Sequence, residues 1–236
     1  MIKVENIGKV YKNGCRALQN VSFKINQAEF VYVVGPSGSG KTTLFNLLTR
    51  QEELTTGKIL MGNTPIHRLK DHQIYQLRRQ IGIVGQEDLF LPRQTVRQNL
   101  DFPLQALSVK KNDRDYRIRE VLLQVGMNAY IDAYPEEMSV GQQKRIAIAR
   151  AIINHPFVLI ADEPTANLDI KTAFEMMKLF FKLNNQGMTV LISTHDSTMV
   201  NTLKKRVLEL SLGHLIRDDK SGGYSTINDP KDIYVL

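Results

Sequence analysis

Residues 31–34, VYVV, form an unbroken apolar run that stops at a glycine-rich loop. The stretch 42–48 beyond the loop has helical composition, so a strand, a loop and a helix are predicted. A second apolar run, 157–161, follows Pro156 and ends at Asp162, Glu163 and Pro164. A third, 189–193, follows Gly187 and ends at Thr194, His195 and Asp196. Helical patterns lie near 142–153 and 171–184. Apolar strands that alternate with helices predict an α/β fold with a mostly parallel sheet covered on both faces. The first 30 residues follow another rhythm. Runs 3–10 and 21–25 are strand-like and separated by Asn13-Gly14, which predicts an N-terminal antiparallel β region. From about 87 to 155 the chain turns mostly helical and charged, as in KKNDRDYRIREVLLQVG, and this predicts an inserted helical subdomain. The main domain is expected to span 1–217, leaving 218–236 as a polar, glycine-containing tail that packs loosely.

Composition narrows the class without naming it. Hydrophobic residues are 42% and charged residues 23% of the chain, enough apolar material for a sizeable core. No run of 18 apolar residues occurs, so no membrane-spanning helix is expected. The start, MIKVENIGKVYKNG, lacks the apolar stretch of a secretory signal, and Cys15 is the single cysteine; a cytoplasmic protein without an internal disulfide is expected. The formal charge of +7 points to an anionic partner. Its basic clusters, Arg78-Arg79, Lys110-Lys111 and Lys204-Lys205-Arg206, are short and dispersed, and each alone fits a solvated surface as well as a binding stripe.

The chemistry begins in VGPSGSGKTT. Residues 35–42 match G-x-x-x-x-G-K-[ST], placed after an apolar strand and before a helix. Gly35, Gly38 and Gly40 can take positive φ, so successive amides turn inward as an anion nest. The helix start adds its positive end, Lys41 can reach phosphate oxygens, and Thr42 can offer a hydroxyl to Mg²⁺. The whole run Gly35, Pro36, Ser37, Gly38, Ser39, Gly40, Lys41, Thr42 and Thr43 is expected to hold a nucleotide.

FVLIADEP sets Asp162 and Glu163 just past the end of a buried strand. In an open α/β sheet ligands bind at the carboxyl ends of the strands, the edge from which the glycine-rich loop also leaves. Asp162 then suits Mg²⁺ contact, and Glu163 suits polarisation of an attacking water. Alone, the same tripeptide would serve as an acidic turn capped by proline. Farther back, Ser139-x-x-Gln142 reads as a capping box that starts a helix, with Ile146, Ala149 and Ile153 along one face.

Taken together, GPSGSGKT at 35–42, SVGQQ at 139–143, VLIADEP at 158–164, ANLD at 166–169 and STHD at 193–196 resemble the ABC-type ATPases, the nucleotide-binding subunits of ABC transporters. The resemblance runs from Ile2 to about Arg217. It implies a P-loop NTPase core, ATP and Mg²⁺ as ligands, and ATP hydrolysis. By the same resemblance Tyr11 stacks on adenine, Gln86 senses Mg²⁺ and the water, Glu163 activates that water, and His195 contacts the γ-phosphate. Mg²⁺ would meet Thr42, Gln86 and Asp162. Asp169 is the acidic residue of the loop that joins two sites. Two chains are expected to form a homodimer on ATP binding, with Ser139, Gly141 and Gln142 of one facing the phosphate loop of the other.

Finer stretches, LRRQIGIV, IAIARAIINHP and VNTLKKRV among them, resemble the family's cell-division branch. Lipoprotein-release and macrolide-export ATPases share most of them. Either branch implies an integral membrane partner and a peripheral place on the cytoplasmic face of the membrane. A soluble DNA-associated ATPase is the reading from another class, though no nucleic acid partner is expected, since neither a long coiled-coil insertion nor paired cysteines is present. The chain departs from the family pattern twice. Val140 stands where the signature has glycine, and Gly85 stands where an aromatic precedes Gln86. Both leave open a regulatory subunit that closes on ATP and turns it over poorly.

Overall fold

A computed structural model describes residues 1–223. Ten strands and seven α-helices follow one another among these residues. β1 (Ile2–Val10), β2 (Arg16–Ile25), β3 (Phe30–Val34) and α1 (Lys41–Leu48) come first, then β4 (Thr56–Met61), β5 (Thr64–Pro65), α2 (Asp71–Arg78) and β6 (Ile81–Val84). The helices α3 (Val96–Ala106), α4 (Lys111–Val125) and α5 (Val140–Ile152) lie between β6 and β7 (Val158–Asp162). The chain continues through α6 (Ile170–Asn185), β8 (Thr189–Ser193), α7 (Ser197–Leu203), β9 (Arg206–Ser211) and β10 (His214–Asp219).

Two sheets result. One is antiparallel, in the order β2-β1-β4-β5; the other has six strands in the order β10-β9-β3-β8-β7-β6 and is parallel except where β10 pairs with β9. The continuous apolar runs have a physical cause: the larger sheet is covered on both faces. In β3, Val31 and Val33 pack with the antiparallel sheet and α1, whereas Phe30, Tyr32 and Val34 pack with the helices of the other layer. Ile146 and Ala149 of α5 and the neighbouring Ile153 join that second core.

Register decides what meets at the carboxyl edge. Val33 of β3 pairs with Ser193 at the end of β8, and Ser193 pairs with Asp162 at the end of β7. The loop after β3, the acidic turn after β7 and the segment after β8 therefore leave from one rim.

At two points the structure differs from the sequence expectation. Asp162 is the last residue of β7 rather than the first beyond it. Asp218 and Asp219, expected in a loose tail, belong to β10, where Asp218 accepts two hydrogen bonds of 2.8 Å from Arg206. A paired arginine turns a polar sequence into an edge strand, which composition alone does not reveal. The remainder of the expected tail, 224–236, lies outside the described residues.

Candidate active site

The loop after β3 is pressed against its surroundings so closely that two positions must be glycine. Gly35 has φ +141°, and a Cβ there would stand 2.1 Å from the Leu210 carbonyl oxygen. Gly40 has φ +106°, and a Cβ would stand 2.6 Å from the Ala17 carbonyl oxygen. The loop is wedged between β2 and β9, and the Gly213 amide donates to the Ser39 carbonyl at 3.2 Å. Gly40 then caps α1 without a side-chain acceptor, and no acidic residue occupies the first turn. The positive end of the helix is thus left to an external anion.

Lys41 opens α1 with its ammonium inside the loop, donating to the carbonyls of Gly35 at 2.8 Å and Pro36 at 3.1 Å. Burial holds its pKa below the ordinary lysine value, and the nearby carboxylates of Glu163 and Asp162 pull the other way. Thr42 donates its hydroxyl to Asp162 Oδ2 at 2.8 Å. The phosphate loop and the acidic turn are therefore joined directly.

Ser193, to which the sequence reading gave no role, ties this corner together. Its hydroxyl donates to Asp162 Oδ1 and accepts the Glu163 amide at 2.9 Å. Glu163 takes φ +52°, a left-handed backbone uncommon for a non-glycine residue. Its carboxylate, largely shielded from solvent, meets His195 Nδ1 at 2.8 Å. A bond donated from Nδ1 directs the imidazole's Nε2 outward. Just before His195, the Thr194 amide donates to the Val33 carbonyl at 3.2 Å, so this histidine is fixed from the same strand that launches the phosphate loop.

These groups surround a cavity of about 690 Å³. Every residue of the loop 36–43 except Ser39 lines it, and Tyr11, Gln86, Glu163 and His195 complete the predicted part of the wall. Tyr11 reaches α1, its hydroxyl 3.3 Å from Thr43 Oγ1, with the Lys9 ammonium 4.9 Å from its ring centre. Gly35, Ser39 and Asp162 stand behind this surface. Ser39 is 2% exposed and its hydroxyl has no hydrogen-bond partner among the described residues. Within the run expected to hold the nucleotide, the Ser39 hydroxyl is thus turned inward, away from the cavity wall.

Four expected site residues lie apart from the cavity. Ser139 caps α5: its hydroxyl accepts the Gln142 amide at 3.3 Å, and its own amide donates to Gln142 Oε1 at 2.9 Å. Gly141 faces α6, where an added Cβ would stand 2.6 Å from Thr172 Cγ2. Asp169 caps α6 by accepting the Thr172 amide at 3.0 Å, and the hydrogen bonds from the Thr172 side chain and backbone hold its carboxyl below the usual range.

Thr42 and Asp162 meet at 2.8 Å and Gln86 lines the same cavity as Thr42; hydroxyl, carboxylate and amide oxygens are hard donors, of the kind that suits Mg²⁺ better than a softer metal. No group of three or more His, Cys, Asp or Glu among the described residues could hold a metal by itself.

Comparison with known proteins places this geometry in context. Residues 18–166 match the family model described as ABC transporter. The cell division ATP-binding protein FtsE of Bacillus subtilis is 41% identical over 226 residues, covering 96% of this chain and 99% of its own. FtsE of Mycobacterium tuberculosis is 40% identical over 225 residues, covering 95% of this chain and 98% of its own. Among solved structures, a dimeric ATP-binding cassette in a post-hydrolysis state, bound to ADP and Pi, superposes with a TM-score of 0.84 at 35% identity, covering 95% of this chain and all of that one.

Proposed function

The chain belongs to the ABC transporter family of ATP-hydrolysing subunits, and from that premise we propose that it is the ATPase of a cell-division complex of the FtsE–FtsX kind. It binds ATP and hydrolyses it. The observation that carries the site assignment is the meeting of four groups at one sheet edge: Thr42 on Asp162 and Glu163 on His195, each pair at 2.8 Å.

The triphosphate lies on the loop 35–43, with Tyr11 against the base. Lys41 exchanges its two carbonyl partners for phosphate oxygens, whose negative charge offsets the burial that disfavours its ammonium. Thr42, Asp162 and Gln86 would hold Mg²⁺, which would supply charge neutralisation at the phosphates. Glu163 orients the attacking water and accepts its proton as the bond to the γ-phosphorus forms. His195 steadies the developing charge on the γ-phosphate. The leaving group is ADP.

Ser139 and Gly141 belong to the second chain's site. Their exposed helix start on α5 would close over the γ-phosphate held by a partner copy, as the dimeric form of the related cassette suggests. Asp169 sits in the loop between the two sites. The chain works as a peripheral subunit on the cytoplasmic face of the membrane; no helix among the described residues is long and apolar enough to cross one. The membrane partner, of the FtsX type, docks beside the Gln86 loop. Leu89 is 74% and Phe102 58% exposed there, around a groove of about 450 Å³ that Leu91, Pro92 and Phe102 line.

Glu163→Gln tests the assignment. It keeps the shape and removes the base, so turnover should fall about 100-fold or more while ATP binding persists and the dimer is trapped. Undiminished steady-state turnover would remove Glu163 from this role.

A further inference from the structure

Lys144 and Asp88 form an ion pair that the reaction scheme above does not use. The Lys144 ammonium stands 3.2 Å from both carboxylate oxygens of Asp88 and donates to the Gln86 carbonyl at 2.9 Å. Lys144 is 5% exposed, and the Asp88 side chain is nearly as shielded. Burial outweighs the lysine's attraction and pushes the Asp88 carboxyl above its ordinary range. A pair in such surroundings contributes little net stability, because desolvation offsets the Coulomb gain. Its distinct effect is geometric: it fixes one backbone carbonyl, that of Gln86.

The pair belongs to a wider clamp. Arg150, also on α5, donates to the Leu89 carbonyl and sets its guanidinium 5.2 Å from the Phe90 ring centre. On the other side, buried Asn99 of α3 accepts the Leu91 amide at 2.8 Å and donates to the carbonyls of Gln94 and Thr95 at 3.1 Å. The segment 86–95 is thus fastened to α5 and α3. It joins β6 through Gly85, whose missing Cβ would meet nothing closer than the Glu87 carbonyl oxygen at 3.4 Å. The helix that carries Lys144 also carries Ser139 at its start, five positions earlier.

We propose that Lys144 is a positioning residue for Gln86, holding its backbone from α5 so that the Gln86 side chain reaches into the nucleotide cavity only when α5 is correctly seated. Any shift of α5 as its start meets a second chain is then passed to Gln86 through the Lys144 contact. The inference rests on the role assigned to Gln86 above.

The test uses the full chain and measures steady-state ATPase against Mg²⁺ concentration for Gln86→Ala, Lys144→Met and the double variant. Lys144→Met should lower kcat about tenfold and raise the Mg²⁺ concentration for half-maximal turnover, leaving the KM for ATP within about twofold. Lys144→Arg, which keeps charge and donors, should recover most of the loss. The double variant should be no worse than Gln86→Ala, because both changes remove one function. If Lys144→Met melts before assay, Asp88→Asn carries the same comparison. Wild-type kcat and Mg²⁺ dependence in Lys144→Met, or losses that multiply in the double variant, would overturn the inference. Wild-type turnover in Gln86→Ala would instead overturn the reading of Gln86 on which it stands.

Discussion

Thr42 and Asp162 are 120 residues apart in the chain and meet at 2.8 Å, whereas Ser139 bonds within its own helix start, to Gln142 and Gln143. The two regions are built on different logic. Around the cavity, side chains from α1, β7, β8 and the turns after β7 and β8 bond across elements, and each fixes another: Thr42 fixes Asp162, Ser193 fixes Asp162 and Glu163, and Glu163 fixes His195. At the start of α5 the polar groups are satisfied locally, Val140 is 51% exposed, and a Cβ added at Gly141 would press on Thr172. One region is a finished half of a site. The other is a capped helix start that lies at the surface, which is what a half contributed to a second copy would require.

The strongest way to break this contrast is to damage the two regions in separate chains. Lys41→Ala removes the phosphate cation, and Ser139→Arg blocks the α5 start. Each homodimer should lose turnover about 100-fold or more. An equal mixture should regain activity, because a mixed dimer retains one site with an intact loop from one chain and an intact α5 from the other. A chain carrying both changes, mixed with the Lys41→Ala chain, leaves no intact site in any dimer and serves as the blank. Steady-state ATPase on the two mixtures reads the difference. No regain in the first mixture over this blank would mean that the two regions act within a single chain.

A smaller effect separates two reasons for glycine at 141. Its Cβ would stand 2.6 Å from Thr172 Cγ2, so Gly141→Ala should cost about 1–2 kcal/mol in chemical unfolding of the nucleotide-free chain. Thr172→Ser in the same chain removes that methyl and should restore stability. Turnover that stays low after stability returns would isolate the contribution made to the facing chain. Full recovery of both would mean that Gly141 is there for the packing of α5 on α6.

The sequence was most legible where chemistry is local. The phosphate loop has a fixed spacing, its strand and helix context is visible in the apolar pattern, and the Ser139–Gln142 box is written in four consecutive residues. Strand order was not legible in the same way. That Ser193 lies beside Asp162 follows from parallel register between β7 and β8, which no local pattern encodes. Lys144 and Asp88, 56 residues apart, read as ordinary surface charges until α5 buries them together. Asp169 was legible twice over: as part of ANLD by family resemblance, and as an N-cap standing before a helical run. Only the first signal was used, and the cap explains why its carboxyl is held low. The inward hydroxyl of Ser39 had no signal, since serine is equally at home on either side of a tight turn.

Val140 offers the finest test of the contrast. It is the first helical residue of α5 and is 51% exposed, so its backbone needs none of the freedom glycine would supply, and its side chain fills no cavity of its own chain. Its amide remains available whatever side chain it carries. Any cost of the isopropyl group is therefore paid against the facing chain. Val140→Gly should raise steady-state turnover by about twofold, equivalent to roughly 0.4 kcal/mol in the barrier. Unfolding of the nucleotide-free chain should shift by less than about 1 kcal/mol, the cost of glycine at a helical position. Unchanged turnover would show that the facing surface accommodates the branch. Reduced turnover would show that the branch packs there, and the α5 start would then be specialised for its partner copy rather than merely tolerated by it.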